Sequence, residues 1–307
     1  MPQTYIKIRN TDGTEYTEDR LLSFRFRKDA YLPYTLLSGK IVSDGRIFTD
    51  AAEIFLCVEG FTVHHGLIDQ ITTETSGGIC LTSFVSRGFT SLLCQNQLEP
   101  GMITGVSINS LMDSFYTLPY VTHENNSDTS SYIYVSSNST MWDGVVNLSY
   151  KLCGTYPYIR GDNCVRITPF PEPESFSYTD DELLSAGSEF TGRRLMSHFH
   201  MADISGHYGT YDLTDSDVTA RKIIRHKYFE LDMEFLNDPQ QALAYRDKYA
   251  CRAWKRLFCK YSGYNGEDIS DTLTFNDVSN ERISAVTITG NSSGITTSLS
   301  VFHDRFT

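Results

Sequence analysis

The sequence lacks the cysteine patterns that build metal-binding or disulfide-stapled domains. Its seven cysteines are odd in number, include no C-x-x-C pair and are scattered along the chain, at Cys57, Cys80, Cys94, Cys153, Cys164, Cys251 and Cys259. This spacing matches neither a zinc site nor a disulfide framework. Because 307 residues suffice to bury a hydrophobic core without cross-links, we expect free thiols and assembly in a reducing cytoplasm.

Positive charge is also scarce. The chain has 26 Lys and Arg against 38 Asp and Glu, which gives a net charge of -12 and a pI near 5.1. Without a basic surface to neutralise phosphates, stable binding to nucleic acid is not expected. An acidic wall past which DNA moves without sticking remains compatible with this charge.

Long apolar runs and phosphate-binding glycine loops are missing as well. No stretch approaches the roughly 20 apolar residues that span a bilayer, so we expect no membrane contact. The opening "MPQTYIKIRN" has no apolar core or cleavage site, which predicts that there is no signal peptide. Neither common glycine-rich phosphate motif is present, and we expect no cofactor.

Residues 1–97 consist mainly of strand-like segments. β-branched and aromatic residues cluster or alternate between turn signals such as "TDG" and "SGG", in "YIKIRN", "LLSFRFRK", "YTLLSGKIV", "AEIFLCVEG" and "FTVHHGLIDQITTET". This pattern predicts a small antiparallel barrel or sandwich.

Residues 98–170 mix helix and strand signals. Ser107 is a candidate N-cap for the helix "INSLMDSFYTL". In "TMWDGVVNLSYKLCG", Thr140 and Asp143 have capping-box spacing and Gly154 is a C-terminal stop. Two short strands, "YPYIR" and "CVRIT", follow. We therefore predict a small α/β insert domain.

The proline-rich "PFPEPE" segment favours an extended backbone and marks a boundary before residues 171–307. Strand-like sequence resumes after this boundary. One long helix is predicted within it, at about residues 239–261, with Pro239 in its first turn. One face of this helix is basic. We predict that it meets acidic partners through Arg246, Arg252, Lys255 and Arg256.

The segment "SHFHMADISGHYG" contains the candidate metal ligands. On a strand, His198 and His200 share one face, whereas Asp203 and His207 lie across a turn. A catalytic zinc site needs three converging ligands, and no second cluster supplies them. We therefore predict no metal, with His198, His200 and His207 as the candidates otherwise.

Two further patterns are compared with catalytic motifs. "GNSSG" at 290–294 fits G-x-S-x-G with Ser292 as the nucleophile. The strand-like segments on both sides of it instead predict a hairpin turn. The acidic run Asp180, Asp181 and Glu182 is typical of a solvated surface rather than of a glycosidase pair. We predict no catalytic residues and no enzyme activity.

Several longer segments of the sequence resemble those of a known protein family. They are "SFRFRKDAYLPYTLLSGKI", "ICLTSFVSRGFTSLLCQNQLEPGM", "WDGVVNLSYKLCGTYPYIRGDNCVRITP", "YSGYNGEDISDTL" and "ITGNSSGITTSLSVF". In their residues and their order along the chain, these segments resemble the baseplate hub proteins of contractile-tailed phages and of phage-tail-like particles in Gram-positive hosts. The resemblance extends over nearly the whole chain.

The resemblance implies an α+β, mostly β fold: two tube-type antiparallel β-barrels, at 1–97 and 171–307, with the α/β insert between them. It further implies a homotrimer at the tail tip. Six barrels in a closed ring would join a hexameric tail tube to a trimeric spike. The expected partners are the tube or tube initiator protein, the spike and other baseplate proteins, in a virion or tail-like particle assembled in the bacterial cytoplasm.

Two alternatives remain open from the sequence. One is a phage-associated hydrolase, metal-dependent through the three histidines or a glycosidase through the acidic run. The other is a carbohydrate-binding module, since 19 tyrosines offer rings for stacking on sugars. Aromatic residues equally fill barrels and interfaces.

Overall fold

The computed structural model describes residues 4–115, 117–231, 233–235 and 238–306. The strands are β1 (Tyr5–Asn10), β2 (Glu15–Glu18), β3 (Leu21–Asp29), β4 (Leu36–Val42), β5 (Ala51–Val58), β6 (Phe61–Ser76), β7 (Ile79–Gly88), β8 (Gly101–Val106), β9 (Thr122–His123), β10 (Ser130–Val135), β11 (Tyr158–Arg160), β12 (Cys164–Arg166), β13 (Ser175–Tyr178), β14 (Leu183–Phe190), β15 (His198–Met201), β16 (Tyr211–Thr214), β17 (His226–Phe229), β18 (Lys255–Ser262), β19 (Thr272–Phe275), β20 (Val278–Arg282), β21 (Ala285–Asn291) and β22 (Gly294–Phe302). The helices are α1 (Leu92–Gln95), α2 (Ile108–Phe115), α3 (Met141–Cys153), α4 (Ser216–Ala220) and α5 (Pro239–Ala250), with 3-10 turns at Phe89–Ser91 and Met233–Phe235. The predicted α+β, mostly β fold class is confirmed.

Strands from both ends of the chain share one large, curled antiparallel sheet. Its order is β14-β18-β22-β21-β3-β4-β7-β6-β5-β1-β2. The two strand-rich blocks meet where β3 pairs with β21, with Phe26 opposite Ile288. Phe24 and Phe26 are buried while Arg25 and Arg27 are exposed. This alternation fixes which face of the sheet covers the core, because a slip of one residue would reverse it.

The main hydrophobic core lies against this sheet and draws on both blocks. Ile8, Ile54 and Leu56 come from the first block, and Ile288 and Leu299 from the last, all with no exposed surface. Burying one such side chain contributes about 1.5–3 kcal/mol. The sheet therefore ties the two ends of the chain into one hydrophobic unit.

The α/β segment has a separate core. Leu111, Trp142, Val145 and Leu148 from α2 and α3 pack with residues between Leu93 and Ile167. The predicted capping box of α3 is confirmed, as is its left-handed glycine stop. The side chain of Ser107 accepts the backbone N–H of Ser110 at 3.1 Å, as an N-cap does.

The long helix predicted at 239–261 is wrong in its second half. α5 ends at Ala250, and residues 255–262 form β18 between β14 and β22. Ala253, with φ of 49°, has a left-handed backbone that a continuing helix excludes. Leu257 and Tyr261 fit either a helical stripe or strand alternation, and pairing with two neighbouring strands favours the strand.

The "GNSSG" segment is the predicted hairpin turn. β21 and β22 pair up to Asn291 opposite Gly294, so Ser292 lies in a tight turn between strands rather than between strand and helix. Gly290 packs directly on the ring of Phe24. The first glycine of this motif therefore has a packing role in the sheet.

All seven cysteines are free thiols. Five of them carry a pKa raised mainly by burial, namely Cys94, Cys153, Cys164, Cys251 and Cys259. Such thiols react slowly, because the thiolate is the nucleophile. In the described ranges, no helix is both long and apolar enough to cross a bilayer.

Candidate protein-binding groove

A basic groove lies beside α5, with a volume of about 500 Å³. Five cationic side chains line it together with aromatic and apolar residues, and no acidic residue is among the lining residues that the structure describes; the cations are Arg193, Arg194, Lys227, Arg246 and Arg252. In a chain of net charge -12, this concentration of positive charge is a local exception. Concave surfaces lined by one sign of charge focus the field and attract ions of the other sign.

Aromatic rings hold several of these cations in place. The guanidinium carbon of Arg246 lies 4.4 Å from the ring centre of Phe229, and that of Arg252 lies 3.7 Å from Tyr249. Lys227 also reaches Phe229, at 5.2 Å. Each contact contributes roughly 0.5–1 kcal/mol at an exposed site. The charged groups are therefore oriented before any ligand arrives.

The structure divides the four predicted interaction residues between two places. Arg246 on α5 and Arg252 after it line the groove. Lys255 and Arg256 lie on β18 and line a different pocket, of about 280 Å³. Arg256 forms an ion pair with Glu189 across the β14–β18 pair. The prediction that one basic helix face carries all four residues is therefore wrong, because the helix ends before Lys255 and Arg256.

The sequence prediction missed Arg193, Arg194 and Lys227. Arg193 and Arg194 are adjacent in "GRRLM" and precede β15, whereas Lys227 lies on β17. The doubled arginine was the available signal. No sequence signal pointed to Lys227, because only the parallel pairing of β15 with β17 brings it into the same groove as Arg246.

Two of the three candidate histidines lie on the three-stranded sheet β16-β15-β17. His198 and His200 share a face of β15, as predicted, and His226 lies directly opposite His198 on β17. His207 lies in the turn after β15, where its backbone N–H donates to Asp203. The structure therefore gathers two of the three candidates and adds His226, which the sequence prediction missed.

Another cluster of potential ligands is buried nearby. Oxygen and sulfur atoms of Asp215, Asp247 and Cys251 lie within 4.8 Å of one another. The guanidinium of Arg305 forms ion pairs with Asp215, at 3.0 Å, and with Asp247. Burial raises the pKa of Asp247 to about 6 despite Arg305. Burial acts the same way on Asp215, but the backbone N–H of Val218 and then Arg305 outweigh it and lower that pKa.

No protein-family model matches the sequence, and no curated protein sequence matches it significantly. Solved structures do match. A tail protein from Neisseria meningitidis MC58 has a TM-score of 0.71 at 12% identity, over 98% of this chain and 96% of that chain. The 43 kDa tail protein of prophage MuSo2 from Shewanella oneidensis has a TM-score of 0.70 at 13% identity, over 97% and 98%.

A more distant match extends the comparison. The E. coli c3393 protein, a type VI secretion component described as similar to the T4 tail proteins gp27 and gp5, has a TM-score of 0.58 at 8% identity, over 97% of this chain and 76% of that chain. The chain therefore has the fold of phage tail and type VI baseplate or spike proteins. The resemblance predicted from sequence is confirmed at the level of the fold.

Proposed function

We propose that this chain is a non-enzymatic, trimeric hub that joins a hexameric tail tube to a trimeric spike at the tip of a contractile particle. The single observation that carries the proposal is the match to tail proteins over almost the full length of both chains. In this hub, residues 1–97 and 171–307 are the two tube-type units and 98–170 is the insert. The separate core between Leu93 and Ile167 supports the insert as a unit of its own.

A free sheet edge gives the proposed ring a contact surface. Among the described residues, β14 is an outer strand of the large sheet and pairs on one side only, with β18. Leu184 and Phe190 on this strand are 63% and 47% exposed. An exposed apolar edge strand promotes pairing with another chain. In a closed ring, each edge would be covered by the neighbouring copy, through obligate interfaces above roughly 2,000 Å².

The oligomeric state tests the hub. Native mass spectrometry and negative-stain imaging of the purified chain should show an annular particle of three 34.8 kDa subunits. The double variant Leu184→Lys with Phe190→Lys should shift the mass to one subunit. The control is Ile204→Lys, at an 87% exposed apolar residue outside the large sheet, which should remain trimeric. A wild-type monomer at high micromolar concentration contradicts the hub.

We also propose that the basic groove binds an acidic segment of a partner tail protein. Charge complementarity supports this occupant, because five cationic side chains line one concave surface. The net charge of -12 disfavours a long polyanion such as DNA, since distant acidic surface repels it. A short peptide contacts only the groove.

Fluorescence anisotropy with a labelled octaglutamate peptide tests the groove. The triple variant Arg193→Glu, Arg246→Glu and Arg252→Glu should weaken binding more than tenfold, and added salt should weaken wild-type binding. Lys260→Glu, at an exposed residue on β18, is the matched control and should bind as wild type. Equal binding by the triple variant, or tighter binding of a single-stranded DNA oligonucleotide through the same residues, overturns the proposal.

A further inference from the structure

The exposed face of the β16-β15-β17 sheet gathers three imidazoles and one carboxylate. His198 and His200 come from β15, Asp212 from β16, and His226 from β17. His198 stacks on His226 with ring centres 4.2 Å apart, and His200 stacks on Tyr228 at 4.5 Å. Each of the inner rings, His226 and His200, is thus stacked on one neighbour, and the two lie edge to edge in nearly the same plane, with their centres 5.3 Å apart. The proposed hub does not use this face.

Hydrogen bonding orients His200. Its Nδ1 lies 2.7 Å from Oδ1 of Asp212, and its Nε2 lies 3.0 Å from Nδ1 of His226. A neutral imidazole carries one proton. When Nδ1–H of His200 donates to Asp212, its Nε2 presents a lone pair, and Nδ1 of His226 carries the proton between the two rings. A carboxylate behind a histidine is the arrangement that orients metal-binding imidazoles.

We propose that a divalent transition-metal ion, of the Zn²⁺, Ni²⁺ or Cu²⁺ class, binds between Nε2 of His200 and Nδ1 of His226. Two nitrogens at about 2.0–2.1 Å from a metal lie about 2.9 Å apart at a right angle and about 3.3 Å apart in a tetrahedron. The observed 3.0 Å falls within this interval, so the two nitrogens are close enough to share an ion once both rings turn out of the edge-to-edge arrangement of the hydrogen bond. The metal replaces the shared proton, which is released to solvent.

The remaining coordination positions face solvent. His226 is exposed, so water completes the shell and the site is open rather than closed. The ion links β15 to β17, two parallel strands whose ligands are 26 residues apart. It therefore stabilises the small sheet that also carries Lys227 and the floor of the basic groove.

The buried cluster of Asp215, Asp247 and Cys251 is the competing metal site. Its three ligand atoms lie within 4.8 Å of one another, but the guanidinium of Arg305 already lies against both carboxylates. A metal there would have to displace the guanidinium of Arg305 from both carboxylates. The histidine pair has no such competitor among the described residues and is open to solvent.

Isothermal titration of the EDTA-treated chain with NiCl₂ tests the site. We expect one ion bound per chain through these residues, with proton release seen as a dependence of the heat on the buffer. His200→Ala and His226→Ala should each lower affinity at least tenfold, and Asp212→Asn should lower it about 10–100-fold. Circular dichroism checks that each variant is folded, and His226→Gln replaces any variant that is not.

The matched control is His123→Ala. His123 has a carboxylate partner, Asp113, at 3.0 Å, but it belongs to the α/β segment and is not part of the histidine cluster. Binding should survive this change and also His207→Ala. Undiminished affinity in both His200→Ala and His226→Ala, or the absence of stoichiometric Ni²⁺ binding by the wild type, overturns the proposal without affecting the hub.

Discussion

Arg160 donates from Nη2 to Oδ1 of Asp271 across 2.8 Å, and the carboxylate of Asp271 is only 1% exposed. This pair joins β11 of the α/β segment to the loop before β19. Asp271 also accepts the backbone N–H groups of Glu174 and Asp268. One buried carboxylate thus holds three separate stretches of chain together.

Removing this carboxylate should be costly. Asp271→Ala leaves Arg160 without its buried counter-charge, and breaking such a pair costs about 3–5 kcal/mol. We expect a loss in the free energy of unfolding in that range, measured by urea denaturation. Asp44→Ala removes the acid of an exposed pair with Arg20 and is the control. Similar losses for both variants contradict the assigned role of Asp271.

Gly66 should not tolerate a side chain. A Cβ there would lie 2.2 Å from the carbonyl oxygen of Arg87, a backbone atom that cannot move aside within a paired strand. We expect Gly66→Ala to destabilise the fold by about 2 kcal/mol or more. Gly187→Ala is the control, because its Cβ would meet only the ring of Phe258 at 3.1 Å. Thermal denaturation should separate the two variants clearly.

The free energy of unfolding should depend on pH through Asp247. Burial raises its pKa in the folded state to about 6 from an ordinary value of 3.8. The folded state therefore binds this proton more tightly, and the stabilisation is full below pH 3.8 and lost as the pH rises through 6. Asparagine does not titrate, so the Asp247→Asn variant does not lose stability at this position as the pH rises. Relative to wild type, the variant should gain about 1–3 kcal/mol between pH 4.5 and 7.5.

Chemical denaturation at several pH values measures this difference. The informative quantity is the free energy of unfolding of the variant minus that of the wild type at each pH. A difference that stays constant from pH 4.5 to 7.5 would show that Asp247 does not titrate in this range.

The capping box of α3 should contribute measurably to stability. Thr140 accepts the backbone N–H of Asp143 at 3.2 Å. Its own N–H donates to the Asp143 side chain at 2.7 Å. Thr140→Ala should lower the free energy of unfolding by about 1 kcal/mol. Ser293→Ala, in the exposed β21–β22 turn, should leave it unchanged in the same assay.

Local patterns predicted much of the architecture. The cap at Thr140, the stop at Gly154 and the hairpin at 290–294 follow from side-chain chemistry within a few residues, and each is confirmed. The end of α5 could not be predicted, because Leu257 and Tyr261 fit two periodicities. Two neighbouring strands decided between them.

The candidate sites depended even more on the fold. Arg246 and Arg252 are close in sequence and both line the groove, whereas Lys227 joins them only through the pairing of β15 with β17. His226 reaches His200 in the same way. Pairing between distant strands leaves no trace in the spacing of one sequence.

The sequence by itself determined the β-rich class, the free thiols, the caps and turns, and the acidic surface, because each of these depends on composition or on neighbours along the chain. Only the tertiary structure decided that the first and last blocks share one sheet and that its order places β14 at an edge. The same holds for the groove and the histidine pair. Backbone hydrogen bonds between strands are the same for every residue type, so partner and order are chosen by the packing of the whole core.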